Sequence, residues 1–203
     1  MIKISEENYL FLFEEKKKKF AKEFEEVDSL EYFQSPHHSY RHRTEFQIIK
    51  KNNEIFYAMT INSKHEVINS FPIASKEIQD VMTPLRELIN TNSIMSQKIF
   101  QVEFQSSRNN ETMVSLIYHK KLNDEWSKIA SDISSKLKIS IIGRSKNQKI
   151  IIGHDYVTEQ YKSLNKEFRL NLYEQCFSQT NPDICDQMIN WIEDNGKKDT
   201  DII

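Results

Sequence analysis

The run TEFQIIK at 44–50, the pair Asn52-Asn53 and the run EIFYAMT at 54–60 decide the fold class. Two stretches rich in aromatic and β-branched residues, separated by two residues that tolerate a left-handed backbone, form the pattern of a β-hairpin. A further short strand is expected near Val67. Toward the C-terminus, Ser75 reads as the N-cap of a helix to about Ile89, with Ile78, Val81, Met82, Leu85 and Leu88 on one face. A second hairpin follows, with strands at 98–105 and 112–118 around a polar turn at Arg108-Asn109-Asn110. Asp124 opens a helix to about Leu137 that buries Trp126, Ile129, Ile133 and Leu137. Strands are predicted near 139–143, 149–152 and 168–173, and Asn181-Pro182, a cap followed by proline at the first helical position, opens a helix to about Asp194. Toward the N-terminus, Tyr9, Phe13, Phe20, Phe24 and Val27 recur at three- and four-residue spacing, which predicts a helix over 5–27. Its lysine run, 16–19, reads as a solvated face balanced by Glu14, Glu15, Glu23, Glu25 and Glu26. Hairpins interleaved with helices make this an α+β chain: a largely antiparallel sheet with flanking helices covering one face.

Composition narrows the function. A chain of 203 residues is long enough to bury a core without disulfides or metals. A net charge of −2 argues against coating nucleic acid by bulk charge, and leaves room for a local basic face. Cys176 and Cys185 have no companion pair at zinc-ligand spacing and read as reduced thiols of a cytoplasmic protein. No apolar run approaches the roughly 18 residues of a membrane span, and the N-terminus lacks the pattern of an export signal. Only three glycines occur, Gly143, Gly153 and Gly196, and no two are close enough to build a cofactor-binding glycine loop. The last residues, Asp201-Ile202-Ile203, read as the start of a strand, so the chain is expected to stop short of a further domain.

The residues with the most chemistry lie in His37-His38-Ser39-Tyr40-Arg41-His42-Arg43. Arginines for phosphate and planar rings for stacking are what RNA recognition needs, and Arg41 and Arg43 fall on one side of an extended chain. The competing reading is a polar strand entrance with no ligand. Tyr118-His119-Lys120-Lys121, at the end of an apolar strand, is a second candidate edge and equally an ordinary charged loop. Phe100 is a third candidate, as a stacking platform or as core. Cys176 lacks a histidine or glycine turn nearby to activate it. A metal site is not expected.

In order along the chain, these segments resemble a known family. SYRHRTEF at 39–46, SFPIAS at 70–75 and the thirteen residues VSLIYHKKLNDEW at 114–126 resemble stretches of bacterial tRNA (uracil-5)-methyltransferases. Ile142-Gly143-Arg144 and Phe177-Ser178-Gln179, with Asn181, Met188 and Trp191, complete the order. The resemblance implies S-adenosyl-L-methionine as methyl donor and the T-arm of tRNA as partner, with a cysteine adding to uracil C6, in a monomeric enzyme. It implies stacking roles for Phe100 and His119, phosphate contacts for Arg41, Arg43, Lys120 and Lys121 beside Tyr40, and a cofactor contact for Gln179. Thr180 stands where the family commonly has proline. The implied division is 1–34, an N-terminal helix that packs on a catalytic domain; 35–176, the RNA-recognition domain; and 177–203, the first segment of a Rossmann-like methyltransferase domain. Without the glycine loop and nucleophile, this stretch alone is expected to be inactive and to bind no cofactor tightly. A stand-alone RNA-binding or regulatory protein derived from such an enzyme is the alternative.

Overall fold

The computed structural model describes residues 5–163 and 166–196. After α1 (Glu6–Glu23) come β1 (Arg43–Lys51), β2 (Glu54–Ile61), β3 (Lys64–Val67), α2 (Lys76–Asn90) and the short α3 (Ser93–Ser96). They are followed by β4 (Ile99–Ser106), β5 (Thr112–Tyr118), α4 (Asp124–Leu137), β6 (Ser140–Ser145) and β7 (Gln148–Ile152). The described chain ends with β8 (Tyr156–Lys162), β9 (Glu167–Tyr173) and α5 (Pro182–Asn195). The expected terminal strand at 201–203 lies outside the described residues.

The first hairpin closes with Lys51 opposite Glu54 and with Asn52 and Asn53 at φ 49° and 68°, the left-handed pair that a tight hairpin turn requires. Seven strands form one sheet in the order β3-β2-β1-β4-β5-β6-β7. Every pairing is antiparallel except β5 with β6, where α4 makes the crossover that a parallel neighbour demands. The α+β expectation therefore holds.

One face of this sheet is covered by α2 and α4. Ile78, Leu85 and Ile89 of α2, and Trp126 and Ala130 of α4, have no exposed surface; they pack with Phe46, Val102, Phe104, Leu116 and Ile141 of the strands. Both helices begin on the residues the sequence marks: Ser75 Oγ accepts from Ile78 N, and Asn123 Oδ1 from Trp126 N. Gly143 belongs to this packing, because a β-carbon there would overlap the Trp126 ring and lie 2.6 Å from Leu122 Cδ1.

The other face carries a separate two-stranded sheet, β8 with β9, whose Val157 and Leu172 close a small cluster with Met113 and Ile142. The sequence reading identifies β9 and misses β8. The inward row of β8 is Val157, Glu159, Tyr161, and a carboxylate in a buried row erases the apolar alternation that marks a strand. The four-residue α3 is also unread, and α1 stops at Glu23, short of Val27. Helix α1 buries no residue; its rings meet one another and the segment that follows, Tyr9 with Phe13 and His37, Phe20 with Phe24 and Tyr32. Helix α5 buries Pro182 alone.

Candidate nucleic-acid interface

Strand register places Arg43, alone of the candidate residues, on the face away from α2 and α4. One row across it reads Gln47, Gln101, Ile117, Arg144, Lys149; the next reads Glu45, Glu103, Ser115, Ile142, Ile151; a third begins with Arg43 and Gln105. The β4–β5 register shifts between Ile99 and Gln101, leaving Phe100 out of the ladder. Its ring lies flat on His119, with centroids 3.8 Å apart and planes 8° from parallel. The backbone holds that arrangement, since His119 N donates to Lys98 O at 2.9 Å and Lys98 takes a left-handed φ of 62°. Phe100 and His119, read separately from the sequence, are one stacked unit.

This unit stands at an open cleft of about 1010 Å³. Phe100, His119, Lys120 and Lys121 line one side; Arg144, Ser145, Lys146 and Gln148 of the β6–β7 turn line the other. The two sides are braced. Gln148 clasps Leu122, accepting from its N at 2.9 Å and donating to its O at 2.8 Å, and Ser145 Oγ donates to Lys120 O. Lys121 is exposed. The Lys120 ammonium donates to Ile94 O at 2.6 Å and lies 5.7 Å from the centre of the Tyr118 ring, and burial lowers its pKa. Its charge is tied to α3 as well as facing the cleft.

Arg43 is elsewhere. It pairs with Gln105, five residues along β4 from Phe100, or about 17 Å at the rise of a strand. Between them Glu45 and Glu103 face each other, bridged by Gln101 Nε2 at 3.5 and 2.9 Å. Burial raises the Glu103 pKa, the Glu45 charge raises it further, and Arg43 pulls it back. An acidic pair thus separates Arg43 from the cleft, and the Arg43 guanidinium donates to Cys176 O at 2.5 Å. Arg41 is fixed by its backbone, donating to Ile73 O and accepting from Ser75 N, with its side chain half-exposed beside half-buried Tyr40. The histidines scatter. His37 and His38 pack together near α1, while His42 turns inward to Ser106 Oγ at 3.1 Å, which meets Ser75 Oγ at 2.8 Å. Burial lowers the His42 pKa, outweighing the nearby carboxylates Glu159, Glu77 and Asp183.

Gln179 is exposed in the link between β9 and α5. Two arginines missing from the sequence-based set are the best connected in the molecule's polar layer. Arg108, read as part of a polar turn, bonds Glu159 at 2.9 Å, Asp186 at 2.6 Å, Asp183 at 3.2 Å and Gln160 O at 2.6 Å. Arg144 pairs with the buried Glu174 through two hydrogen bonds. Single arginines among polar residues give no periodic signal, so only a predicted β8 carrying Glu159 would have pointed to Arg108. Both cysteines are free thiols. Among the described residues no group of His, Cys, Asp or Glu is placed to hold a metal, and no helix is long and apolar enough to cross a membrane.

Comparison with known proteins agrees with this architecture. The family described as tRNA (Uracil-5-)-methyltransferase matches residues 8–203. The tRNA/tmRNA (uracil-C(5))-methyltransferase of Acinetobacter baumannii (strain SDF) is 41% identical over 169 residues, which cover 80% of this chain and 47% of that protein. The protein of the same description from Stutzerimonas stutzeri (strain A1501) is 35% identical over 182 residues, covering 88% and 50%. The chain thus spans about half the length of the curated relatives it matches. In fold, it is similar to the crystal structure of Pyrococcus abyssi tRNA (uracil-54, C5)-methyltransferase in complex with S-adenosyl-L-homocysteine. That likeness has a TM-score of 0.68 at 16% identity and covers 92% of this chain and 48% of the other. The chain belongs to the tRNA (uracil-5-)-methyltransferase family.

Proposed function

We propose that this chain supplies T-arm recognition for tRNA uracil-5 methylation, with the loop bases received at the cleft between the Phe100–His119 stack and the β6–β7 turn. The stack carries the reading: two parallel, stacked rings at the mouth of a cleft rimmed by lysine and arginine suit an unstacked base with its phosphates alongside. Lys121 meets the RNA backbone, and Lys120 adds charge from its tethered position. Tyr40 and Arg41 meet phosphates farther along the arm. The target uridine must leave its loop to be methylated, and a platform for displaced neighbours lowers the cost of opening that loop. In the whole enzyme S-adenosyl-L-methionine supplies the methyl group, with Gln179 on the side facing it. The divisions 1–34, 35–176 and 177–203 are part of the same reading, as is a cytoplasmic setting.

Fluorescence anisotropy with a labelled T-arm hairpin tests the claim. Phe100→Ala is expected to weaken binding roughly 5- to 150-fold, the value of one base–ring stack, with little change in salt dependence. Parental affinity in that variant would remove the cleft from RNA recognition. Calorimetric titration of this chain with millimolar S-adenosyl-L-methionine is expected to give no saturable heat. A clear saturable heat would overturn the expectation that this segment alone holds no cofactor.

A further inference from the structure

The segment 174–180 links β9 to α5 without an apolar anchor. Of its residues only Glu174 is buried, while Phe177 is 86% exposed and Gln175, Cys176 and Gln179 are also exposed. Hydrophobic burial therefore cannot fix its course, and a chain ordered without burial needs hydrogen bonds at intervals to offset its entropy. Two come from its own hairpin, Glu174 N to Asp155 O at 2.8 Å and Cys176 N to Tyr173 O at 3.1 Å, and the others come from the recognition sheet. Just upstream, Gln105 Nε2 donates to Leu172 O at 3.3 Å. The Glu174 carboxylate accepts from Arg144 and from Ser115 Oγ at 3.1 Å, with Lys149 Nζ at 3.4 Å. Arg43 Nη1 donates to Cys176 O at 2.5 Å, and His42 N donates to Thr180 O at 2.7 Å. The segment is a strap tied down at Glu174, Cys176 and Thr180.

We infer that Arg43 is a positioning residue for this strap and not a phosphate contact, working with the Arg144–Glu174 pair to set where the sheet hands the chain to α5. Three observations carry it. The Arg43 guanidinium is engaged by a backbone carbonyl. Its remaining charge faces Glu103 and Glu45, which would repel an RNA backbone lying over it. It also stands about five strand residues from the stacked rings. Arg144, on the wall of the cleft, holds the strap from its other end, so the cleft and the strap share one buried carboxylate. A guanidinium suits this task because its fixed fork loses little freedom per bond formed. The part of the inference that concerns RNA rests on the function proposed above; the part that concerns the strap does not.

Hydrogen exchange read by mass spectrometry on the intact chain, together with hairpin anisotropy across a salt series, tests it. Arg43→Met keeps the stem and loses the donors. Peptides covering 174–180 are expected to exchange roughly 10-fold faster or more, the effect of losing one charge-assisted hydrogen bond, with α2, β4 and β5 as protected as in the parent. The salt slope of hairpin binding is expected to equal the parent's. Unchanged strap exchange would overturn the positioning role, and a slope smaller by about 0.7 or more would make Arg43 a phosphate contact instead. If Arg43→Met loses protection in β4 as well, Glu174→Gln serves in its place: a strap that stays protected there overturns the tethering, and one that loosens supports it. Failure of the parent to bind the hairpin would count against the RNA reading only, because strap exchange is measured without RNA.

Discussion

The two faces of the seven-stranded sheet are held by different forces. On the α2/α4 face the contacts are apolar and fully enclosed, from Ile78 and Leu85 to Trp126 and Phe104. On the opposite face, among the described residues, only Met113, Ile142 and Val157, with Leu172, form an apolar cluster. There the β8–β9 hairpin, the strap and α5 are secured by Arg108 on Glu159, Asp183 and Asp186 and by Arg144 on Glu174. An apolar layer gains free energy from area, tolerates small shifts and cooperates across the whole sheet. A layer joined by a few charged bonds is specific in geometry and fails locally when one partner is removed.

The largest expected effects set these layers against each other. Trp126→Ala removes a ring with no exposed surface and should cost about 3–5 kcal/mol of global stability, seen as a lower urea midpoint for every probe together. Arg108→Ala strands Glu159, whose side chain is 1% exposed, among carboxylates. Because Asp183 reaches solvent, the cost should be about 2–3 kcal/mol, below that of a fully buried pair. The loss should be confined to β8, β9 and α5, whose amides lose protection while α2 and β4 keep theirs. A uniform loss of protection in Arg108→Ala would mean that the two layers unfold as one and that the contrast drawn above is wrong.

The same contrast explains what the sequence made legible. The caps at Ser75, Asn123 and Asn181, the Asn52-Asn53 turn and the apolar rows of α2 and α4 are local signals, and each element they mark is present. β8 is not legible because its buried row contains Glu159, whose charge is matched by Arg108, 51 residues earlier. Pairings at that separation leave no periodicity to read. At the candidate site, Phe100, His119 and Lys121 could be named from residue type and resemblance, and the structure brings them together. A spacing of two makes Arg41 and Arg43 look alike in the sequence, yet neighbours decide their environments. Arg43 has a carbonyl to bind and acids beside it, whereas Arg41 is held through its backbone by Ile73 O and Ser75 N. The β6–β7 turn could not be assigned to the cleft from sequence, because only the parallel β5–β6 pairing carries Arg144 beside Ile117.

A smaller effect probes the junction of the two layers, where His42 bonds Ser106 and its backbone meets Thr180. Burial lowers its pKa below that of the unfolded chain, so the unfolded state takes up the proton first. Stability from the neutral ring is present above the ordinary histidine value and is lost as pH falls toward the folded value. The parent should therefore lose up to about 1.4 kcal/mol per pH unit in that window relative to His42→Asn, which keeps a polar atom near the Nδ1 position and cannot titrate. Urea midpoints of both proteins at pH 7.5 and 5.5 give the comparison. Parallel loss in the two would show that His42 protonates as freely folded as unfolded.

The smallest effect concerns the acids between Arg43 and the cleft. Glu45 and Glu103 are directly opposed across β1 and β4, a like-charge pair that destabilises a sheet by a few tenths to about 1 kcal/mol. Burial first, and the Glu45 charge second, raise the Glu103 pKa above the unfolded value. Below the unfolded pKa the carboxyl is protonated in both states and costs nothing; as pH rises through the folded pKa the charged form penalises the native state. Glu103→Gln should leave stability unchanged at pH 3.5 and raise it by roughly 0.2–1 kcal/mol at pH 7. The amide can still bond Gln101, so the gain isolates the charge. A Gln variant less stable than the parent at pH 7 would mean that Glu103 is held by Arg43 more than it is opposed by Glu45. Arg43 would then serve the acid pair as well as the strap.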